Sequence, residues 1–193
     1  MPTVAIVGGG PAGLSAGLFT AKNDLDTLIF DTDETWLHKA HLYNYLGIEE
    51  VGGEAFLETA REQVENFDAD LRVGEEVTGV EKTGNGNAGE TGDGGFTLAT
   101  DDGEYDADYV VFATGTDTSL PEELGCETTD GGLVDVDLNM RTSVENAYAV
   151  GSMIRDQKWE AVISAGHGGA AALQILSTEA GEPVHDFDTP DGA

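Results

Sequence analysis

Apolar and polar positions along the first part of the chain follow two different periods. Residues 3–8 are almost all apolar, which is typical of a central parallel strand that is buried on both faces. Residues 11–23 repeat apolar positions at helical spacing, and Pro11 lies in the first turn, where its missing N–H leaves no hydrogen bond unmade. Residues 26–31 are strand-like again, so the pattern predicts one βαβ unit.

The rest of the chain predicts further strands and two more helices. Residues 32–53 show no clean period and are interpreted as irregular, with room for a short helix. Amphipathic spacing predicts a helix at residues 54–67, and a run with many small residues predicts a last helix at residues 159–179. Strands are predicted at residues 75–82, 95–108, 109–115, 132–137 and 146–151.

These elements predict an α/β fold class, a Rossmann-like domain with a central parallel sheet, flanking helices and an antiparallel β crossover. We expect a single domain over residues 1–180, with the antiparallel insertion at about residues 71–108. Residues 181–193 are expected to form a loose C-terminal tail.

Charge changes this picture more than any other compositional feature. The 193 residues include 38 acidic and 8 basic side chains, which give a formal net charge of −30. Because apolar segments lie between the acids, we predict a folded protein from a halophilic source and not a disordered acidic chain. Molar salt shortens the screening length to about 3 Å, which mutes the self-repulsion of such a surface. The same charge excludes nucleic acid and anionic lipid as partners.

Neither a membrane span nor a secretory signal is expected. No apolar run approaches the roughly 18 residues that indicate a spanning helix. The N-terminal sequence has no basic segment ahead of its apolar stretch. We therefore expect a cytoplasmic protein that does not associate with membranes.

Three segments match the glycine pattern of dinucleotide-binding loops, but only one has suitable flanks. GGGPAG at residues 8–13 ends a predicted strand and begins a helix, whose free N–H groups attract phosphate. Asp31, at the end of the next predicted strand, suits hydrogen bonds with an adenosine ribose. Residues 84–89 are interpreted as a flexible acidic turn, and residues 166–171 as close helix packing.

Other stretches make this interpretation more specific. LYNYLG at residues 42–47, the A-T-G run at 113–115 and the returning segment at 134–153 resemble the FAD domain of the thioredoxin reductase family. The resemblance extends over roughly residues 3–178 and implies FAD as the cofactor. It implies the following cofactor-binding residues: Gly8, Gly10, Pro11, Ala12, Gly13, Asp31, Thr32, Asn44, Val77, Ala113, Thr114, Gly115, Gly151, Ser152, Glu160 and Ala161.

The resemblance also assigns a part of FAD to each segment. It implies that the glycine loop meets the pyrophosphate and that Asp31 meets the adenosine ribose. The Asn44 side chain would approach the flavin, and the Val77 backbone would contact adenine. Residues 114–115 would lie beside the pyrophosphate and the ribityl chain. Ala161 would begin the last helix beneath the flavin, where its N–H and the helix dipole stabilise negative charge.

Departures from the family pattern shape the predicted function. Only residues 116–131 separate the A-T-G strand from the predicted strand at residues 132–137, and the family inserts an NADPH domain after the A-T-G strand. The redox C-x-x-C is absent, which excludes a thiol–disulfide relay through this chain. Ser152 stands where the family has aspartate. Glu160 brings an acid to the flavin, which disfavours negative charge on the reduced ring.

The function that we predict is a minimal single-domain FAD-dependent oxidoreductase that forms a homodimer. Its electrons would come from diffusing NADH or NADPH, or from a redox protein partner. One alternative is a non-catalytic FAD-binding module, and another is a remnant that holds NAD, an adenine nucleotide or nothing. The sequence identifies no catalytic side chain and no metal site.

A few further side chains keep more than one interpretation. His38 and His41 suit a proton donor or a metal pair, although solvent-exposed or hydrogen-bonding roles are favoured. Cys126, the single cysteine, is interpreted as a small semi-buried side chain and not as a reactive thiol, and His167 as structural. Four aromatic residues suit flavin stacking, a dimer interface or ordinary packing: Trp36, Tyr43, Tyr45 and Trp159.

Overall fold

Five parallel strands form the central sheet of the protein, whose computed structural model describes residues 1–83 and 95–189. In spatial order the strands are β10 (Ala147–Ala149), β9 (Tyr109–Phe112), β1 (Thr3–Val7), β2 (Asp26–Asp31) and β5 (Asp70–Val73). The middle strand β1 is almost entirely apolar, and Val4, Ala5 and Ile6 are fully buried. The predicted fold class and the βαβ unit are confirmed.

Four α-helices accompany the sheet in the described part of the chain. They are α1 (Pro11–Lys22), α2 (Gly53–Glu65), α3 (Ser119–Leu124) and α4 (Ala161–Ala180). α1 and α4 approach each other closely, since a Cβ on Gly168 would lie only 2.0 Å from the Ala12 carbonyl oxygen. This contact confirms that residues 166–171 serve helix packing. The other glycine pattern, at residues 84–89, lies outside the described residues.

A three-stranded antiparallel sheet matches the predicted crossover. Its strands β6 (Val77–Lys82), β7 (Phe96–Thr100) and β8 (Glu104–Ala107) pair in chain order. Tyr105 on β8 contacts Phe30 on β2 edge-to-face, with ring centroids 5.0 Å apart. This aromatic contact holds the antiparallel sheet against the parallel one.

Some predicted elements were wrong or incomplete. β5 pairs in parallel with β2, so the antiparallel segment begins at Val77 and not at about residue 71. Residues 132–137 form no strand, and Val134 makes only an isolated bridge with Thr128. Helix α3 was not predicted. The irregular segment contains a 3₁₀ helix followed by two short paired strands: Trp36–Lys39, β3 (His41–Leu42) and β4 (Val51–Gly52).

The C-terminal segment makes specific contacts although residues 183–189 have no regular secondary structure. Lys22, at the end of α1, forms ion pairs with Asp186, at 2.7 Å, and with Asp188. The Val184 N–H donates to Ser177 Oγ at 3.0 Å. A wholly loose tail would not make these contacts. Within the described ranges, no helix has the length and apolar character needed to cross a membrane.

Candidate functional site

Three loops and the N-termini of α1 and α4 meet at the carboxyl edge of the parallel sheet. The strand order reverses between β1 and β9, and open α/β sheets bind ligands at such switch points. The loop after β1 leads into α1, the loop after β9 carries Thr114, and the loop after β10 carries Ser152. Because the first N–H groups of a helix have no partner within it, this edge can bind an anion.

Steric contacts explain the glycines of the loop after β1. Gly8 has a φ of +115°, and a Cβ there would lie 2.3 Å from the Ala113 carbonyl oxygen. A Cβ on Gly13 would lie 1.8 Å from the Gly8 carbonyl oxygen. These two glycines let β1, α1 and the end of β9 come together. Gly10 differs, because a Cβ there would meet only Thr35 Oγ1, at 3.5 Å, so space remains beside the start of α1.

The charge of the helix starts fits a pyrophosphate at this open space. In the described part of this strongly acidic chain, the first turns of α1 and α4 contain no acidic side chain. Nothing in those turns therefore opposes the partial positive charge at the helix N-termini. The glycine loop and the free N–H groups at the start of α1 thus form a cradle that FAD can occupy.

Two of the predicted flavin-binding residues contact each other, although they lie far apart in sequence. Asn44 Nδ2 donates to Glu160 Oε2 at 2.7 Å. Glu160 is the N-cap residue of α4, but its carboxylate turns to Asn44 and does not cap the helix. The contact brings the LYNYLG segment to the start of α4, where Ala161 is the first helical residue.

The predicted ribose-binding residue, Asp31, is held by a partner that the sequence analysis missed. Asp31 is 4% exposed, and its Oδ1 accepts the Asp33 N–H at 3.0 Å. Arg61 on α2 donates to Asp31 Oδ2 at 2.7 Å and to Asp33 Oδ1 at 2.5 Å. The Asp31 carboxyl lies against the glycine loop, since a Cβ on Gly9 would be 2.3 Å from Asp31 Cγ. The available signal was that Arg61 is the one basic residue of an acidic helix, α2.

The ion-pair network at Arg61 extends to His38. The His38 Nε2 atom lies 2.8 Å from Asp33 Oδ1, and Nδ1 lies 3.7 Å from Glu54 Oε2. The hydrogen bond with Asp33 raises the pKa of His38. In turn, the hydrogen bond from Arg61 lowers the pKa of Asp33. Asp33 is therefore a shared acceptor whose ionised form is favoured by the hydrogen bonds from Arg61 and His38.

His41 and its neighbours make separate contacts. His41 packs on Tyr43, with ring centroids 4.6 Å apart, and its Nε2 lies 3.6 Å from Glu50 Oε2. Tyr45 packs on Phe56, with centroids 5.4 Å apart. His38 and His41 thus have different partners, and residues 1–83 and 95–189 contain no group of three side chains suited to a metal ion. Three of the four singled-out aromatic residues are exposed: Trp36, Tyr43 and Trp159.

The remaining singled-out residues lie in varied surroundings. Cys126 is buried, and burial raises the pKa of its thiol, which fits the structural interpretation. His167 is buried in α4, where burial lowers its pKa, and it accepts a long hydrogen bond from Arg155 Nε at 3.4 Å. Val77 is buried at the start of β6, whereas Thr32 is exposed. Which residues contact FAD stays a prediction.

A family match gives the class of protein. Residues 46–170 match the model of the pyridine nucleotide-disulphide oxidoreductase family, so the chain belongs to that family of oxidoreductases. The expected family relationship, the Rossmann-like α/β fold and FAD as the cofactor are confirmed.

Individual relatives agree with this class. The dihydrolipoyl dehydrogenase of Haloferax volcanii is 35% identical over 131 residues, which cover 64% of this chain and 25% of that protein. The ferredoxin–NADP reductase of Levilactobacillus brevis is 27% identical over 183 residues, which cover 91% of this chain and 50% of that protein. The chain therefore spans half or less of the length of these relatives.

Solved structures of thioredoxin reductases show the same fold. The enzyme from Gloeobacter violaceus superposes with a TM-score of 0.80 at 20% identity, over 98% of this chain and 99% of that chain. The enzyme from T. acidophilum gives a TM-score of 0.80 at 18% identity, over 93% of this chain and 100% of that chain.

Proposed function

We propose that this chain is an FAD-dependent oxidoreductase that holds FAD in one Rossmann-like domain and receives electrons from outside that domain. The observation that carries the proposal is the cradle itself. Open space at Gly10 and a start of α1 without acidic side chains lie at the carboxyl edge of the parallel sheet. Family membership supports the same chemistry. When bound, FAD supplies the redox chemistry, and the protein supplies binding, orientation and electrostatics.

The proposed roles of the residues follow their positions along the sheet edge. The N–H groups at the start of α1 neutralise the pyrophosphate, and Asp31 accepts hydrogen bonds from the adenosine ribose. Ser152, in the loop after β10, offers one hydroxyl to the ribityl chain. Asn44 orients the Glu160 carboxylate at the start of α4, which limits how that charge faces the flavin.

An external electron source is supported by the short connection between β9 and β10. Phe112 ends β9 and Ala147 begins β10, and the residues between them form α3 and turns. That connection contains no second strand–glycine loop–helix unit. Two named relatives, a ferredoxin–NADP reductase and a dihydrolipoyl dehydrogenase, favour NADH, NADPH or a redox protein as the donor class. The proposal includes a homodimer, a cytoplasmic location and a halophilic source, which stay predictions.

Anaerobic reduction tests the proposal. The protein is loaded with FAD in molar KCl and mixed with NADH, NADPH or reduced ferredoxin, and the visible absorbance of the flavin is followed. We expect at least one donor to bleach the flavin. Free FAD mixed with the same donors, without protein, is the control for direct reaction of the donor with flavin in solution.

The alternative, a non-catalytic FAD-binding module, is favoured by the Glu160 carboxylate at the start of α4, because it disfavours the negative charge of reduction. FAD that binds but that none of the three donors reduces would contradict the oxidoreductase proposal and support this module.

A further inference from the structure

Arg61 joins the helix α2 to the end of β2, where the adenosine half of the cofactor is proposed to lie. One nitrogen of its guanidinium, Nη2, donates to Asp31 at 2.7 Å and to Asp33 at 2.5 Å. The Arg61 side chain is itself largely covered, with 20% of its area exposed, compared with 5% for Asp31. The pair is therefore largely shielded from water. Loss of one partner from such a shielded charge pair is strongly destabilising.

The surroundings make Arg61 the main source of positive charge for Asp31. Arg61 and His38 line a groove of about 390 Å³ whose other charged groups are all acids. The acidic side chains of that groove are Asp33, Glu54, Glu58, Glu62 and Glu65. Without Arg61, the Asp31 and Asp33 carboxylates would repel each other, and Asp31 would turn towards water.

The remaining hydrogen-bonding capacity of Asp31 suits a ribose. A carboxylate offers about four acceptor positions, of which the Asp33 N–H and Arg61 occupy two. Because the carboxyl rests against Gly9, its orientation towards the glycine loop is fixed from one side by the loop and from the other by α2.

We propose that Arg61 is a positioning residue for the adenosine half of FAD, which fixes the Asp31 carboxylate in the orientation that accepts ribose hydroxyls. The inference rests on the proposed function, since it takes FAD as the ligand. The effect should be selective, because the side-chain hydrogen bonds of Arg61 within residues 1–83 and 95–189 go to Asp31 and Asp33, at the adenosine end of the site. Its loss should weaken ligands that contain the adenosine half and leave ligands of the flavin half unaffected.

Equilibrium binding of FAD, ADP and FMN in molar KCl tests this selectivity with Arg61→Gln, Arg61→Lys and Lys22→Gln. Lys22→Gln is the matched control, because Lys22 also pairs with two carboxylates, is similarly covered and lies at the far end of α1. We expect Arg61→Gln to weaken FAD and ADP about 10- to 100-fold, the usual worth of a charged hydrogen bond, and FMN less than about twofold. Arg61→Lys should lie between, and Lys22→Gln should match the wild type.

The outcomes separate this inference from the proposed function. A folded Arg61→Gln protein that loses FAD and FMN affinity equally, or loses neither, overturns the positioning role. If Arg61→Gln does not fold, Arg61→Lys decides by the same ratio of ADP to FMN affinity. A folded wild type that binds ADP in an Arg61-dependent manner but no FAD contradicts the proposed function and leaves the positioning of Asp31 supported.

Discussion

Gly10 and Gly168 are the second glycines of two matching sequence patterns, yet they have opposite surroundings in the fold. A Cβ on Gly10 would meet only Thr35 Oγ1, at 3.5 Å, beside an open helix start. A Cβ on Gly168 would lie 2.0 Å from the Ala12 carbonyl oxygen, in the contact between α1 and α4. Space beside a helix N-terminus suits a ligand, whereas space that another backbone fills serves packing. The surroundings, and not the glycine spacing, distinguish the two.

Both glycine regions depend on a folded chain. The KCl concentration should have a larger effect on the stability of the fold than any substitution. Lowering KCl from about 1 M to about 0.01 M lengthens the screening distance from about 3 Å to about 30 Å. The 38 acidic side chains then repel one another across the surface. In circular dichroism melts we expect the thermal midpoint to fall by about 10 °C or more, because each kcal/mol lost from the free energy of unfolding lowers the midpoint by about 2–4 °C. A midpoint independent of KCl contradicts the halophilic interpretation.

Replacing Gly168 tests the packing region. Gly168→Ala drives a Cβ into the Ala12 carbonyl, and such overpacking lowers the free energy of unfolding by about 1–3 kcal/mol. Gly166→Ala is the control in the same helix, because a Cβ there meets nothing within 4 Å. Urea unfolding at fixed KCl measures both variants. Equal midpoints for the two would show that the close approach of α1 and α4 is not needed.

Replacing Gly10 tests the binding region. The backbone there is extended, with φ −79° and ψ −174°, so alanine fits without strain, but its Cβ enters the space proposed for the pyrophosphate. We expect FAD affinity to fall at least about tenfold, or about 1.4 kcal/mol, with unchanged stability of the cofactor-free protein. Gly52→Ala, at the open and extended N-cap of α2, is the matched control. Fluorescence titration with FAD in molar KCl compares the two variants. An FAD affinity of Gly10→Ala equal to that of the wild type would contradict binding of the pyrophosphate at this loop.

The smallest expected effect concerns the contact between His38 and Asp33, close to Asp31 at the proposed adenosine end of the binding region. Because the hydrogen bond with Asp33 raises the pKa of His38, this contact stabilises the fold fully below the unfolded pKa of about 6.5. The contribution is lost as pH rises through the higher folded pKa. Both side chains are partly exposed, so solvent screening keeps it below about 1 kcal/mol.

The difference in unfolding free energy between wild type and His38→Gln should therefore shrink from pH 6 to pH 9. This range begins below the unfolded histidine pKa of about 6.5 and extends above it. His41→Gln serves as the comparison, since His41 has no contact with Asp33. A difference that grows with pH contradicts the assigned ion pair.

Local patterns predicted the elements that depend on local sequence. The apolar run of β1, Pro11 at the start of α1 and the glycine loop all carry their signals within a few residues. β5 was missed because its four residues, DLRV, are short and half polar at an edge of the sheet. Residues 132–137 alternate like a strand, but the Val134 bridge to Thr128 and the turn at Asp137 hold them in an irregular course.

Contacts between distant segments were the least predictable part of the site. Arg61 reaches Asp31 across 30 positions, and its local signal, a single basic residue in the acidic helix α2, does not identify Asp31 as the partner. Asn44 and Glu160 were each predicted through the family resemblance, but their hydrogen bond depends on where the start of α4 packs. Such pairs follow from tertiary packing, which spacing along the chain does not encode.

Uptake of FAD by the cofactor-free wild-type protein tests most directly whether the first glycine loop of this chain binds the cofactor. The measurement is a titration with FAD in molar KCl, followed by flavin fluorescence and by the absorbance of the protein after removal of free flavin. We expect saturation at one FAD per chain, with an affinity that Gly10→Ala weakens and Gly52→Ala does not. A folded protein that retains no FAD under these conditions would contradict it.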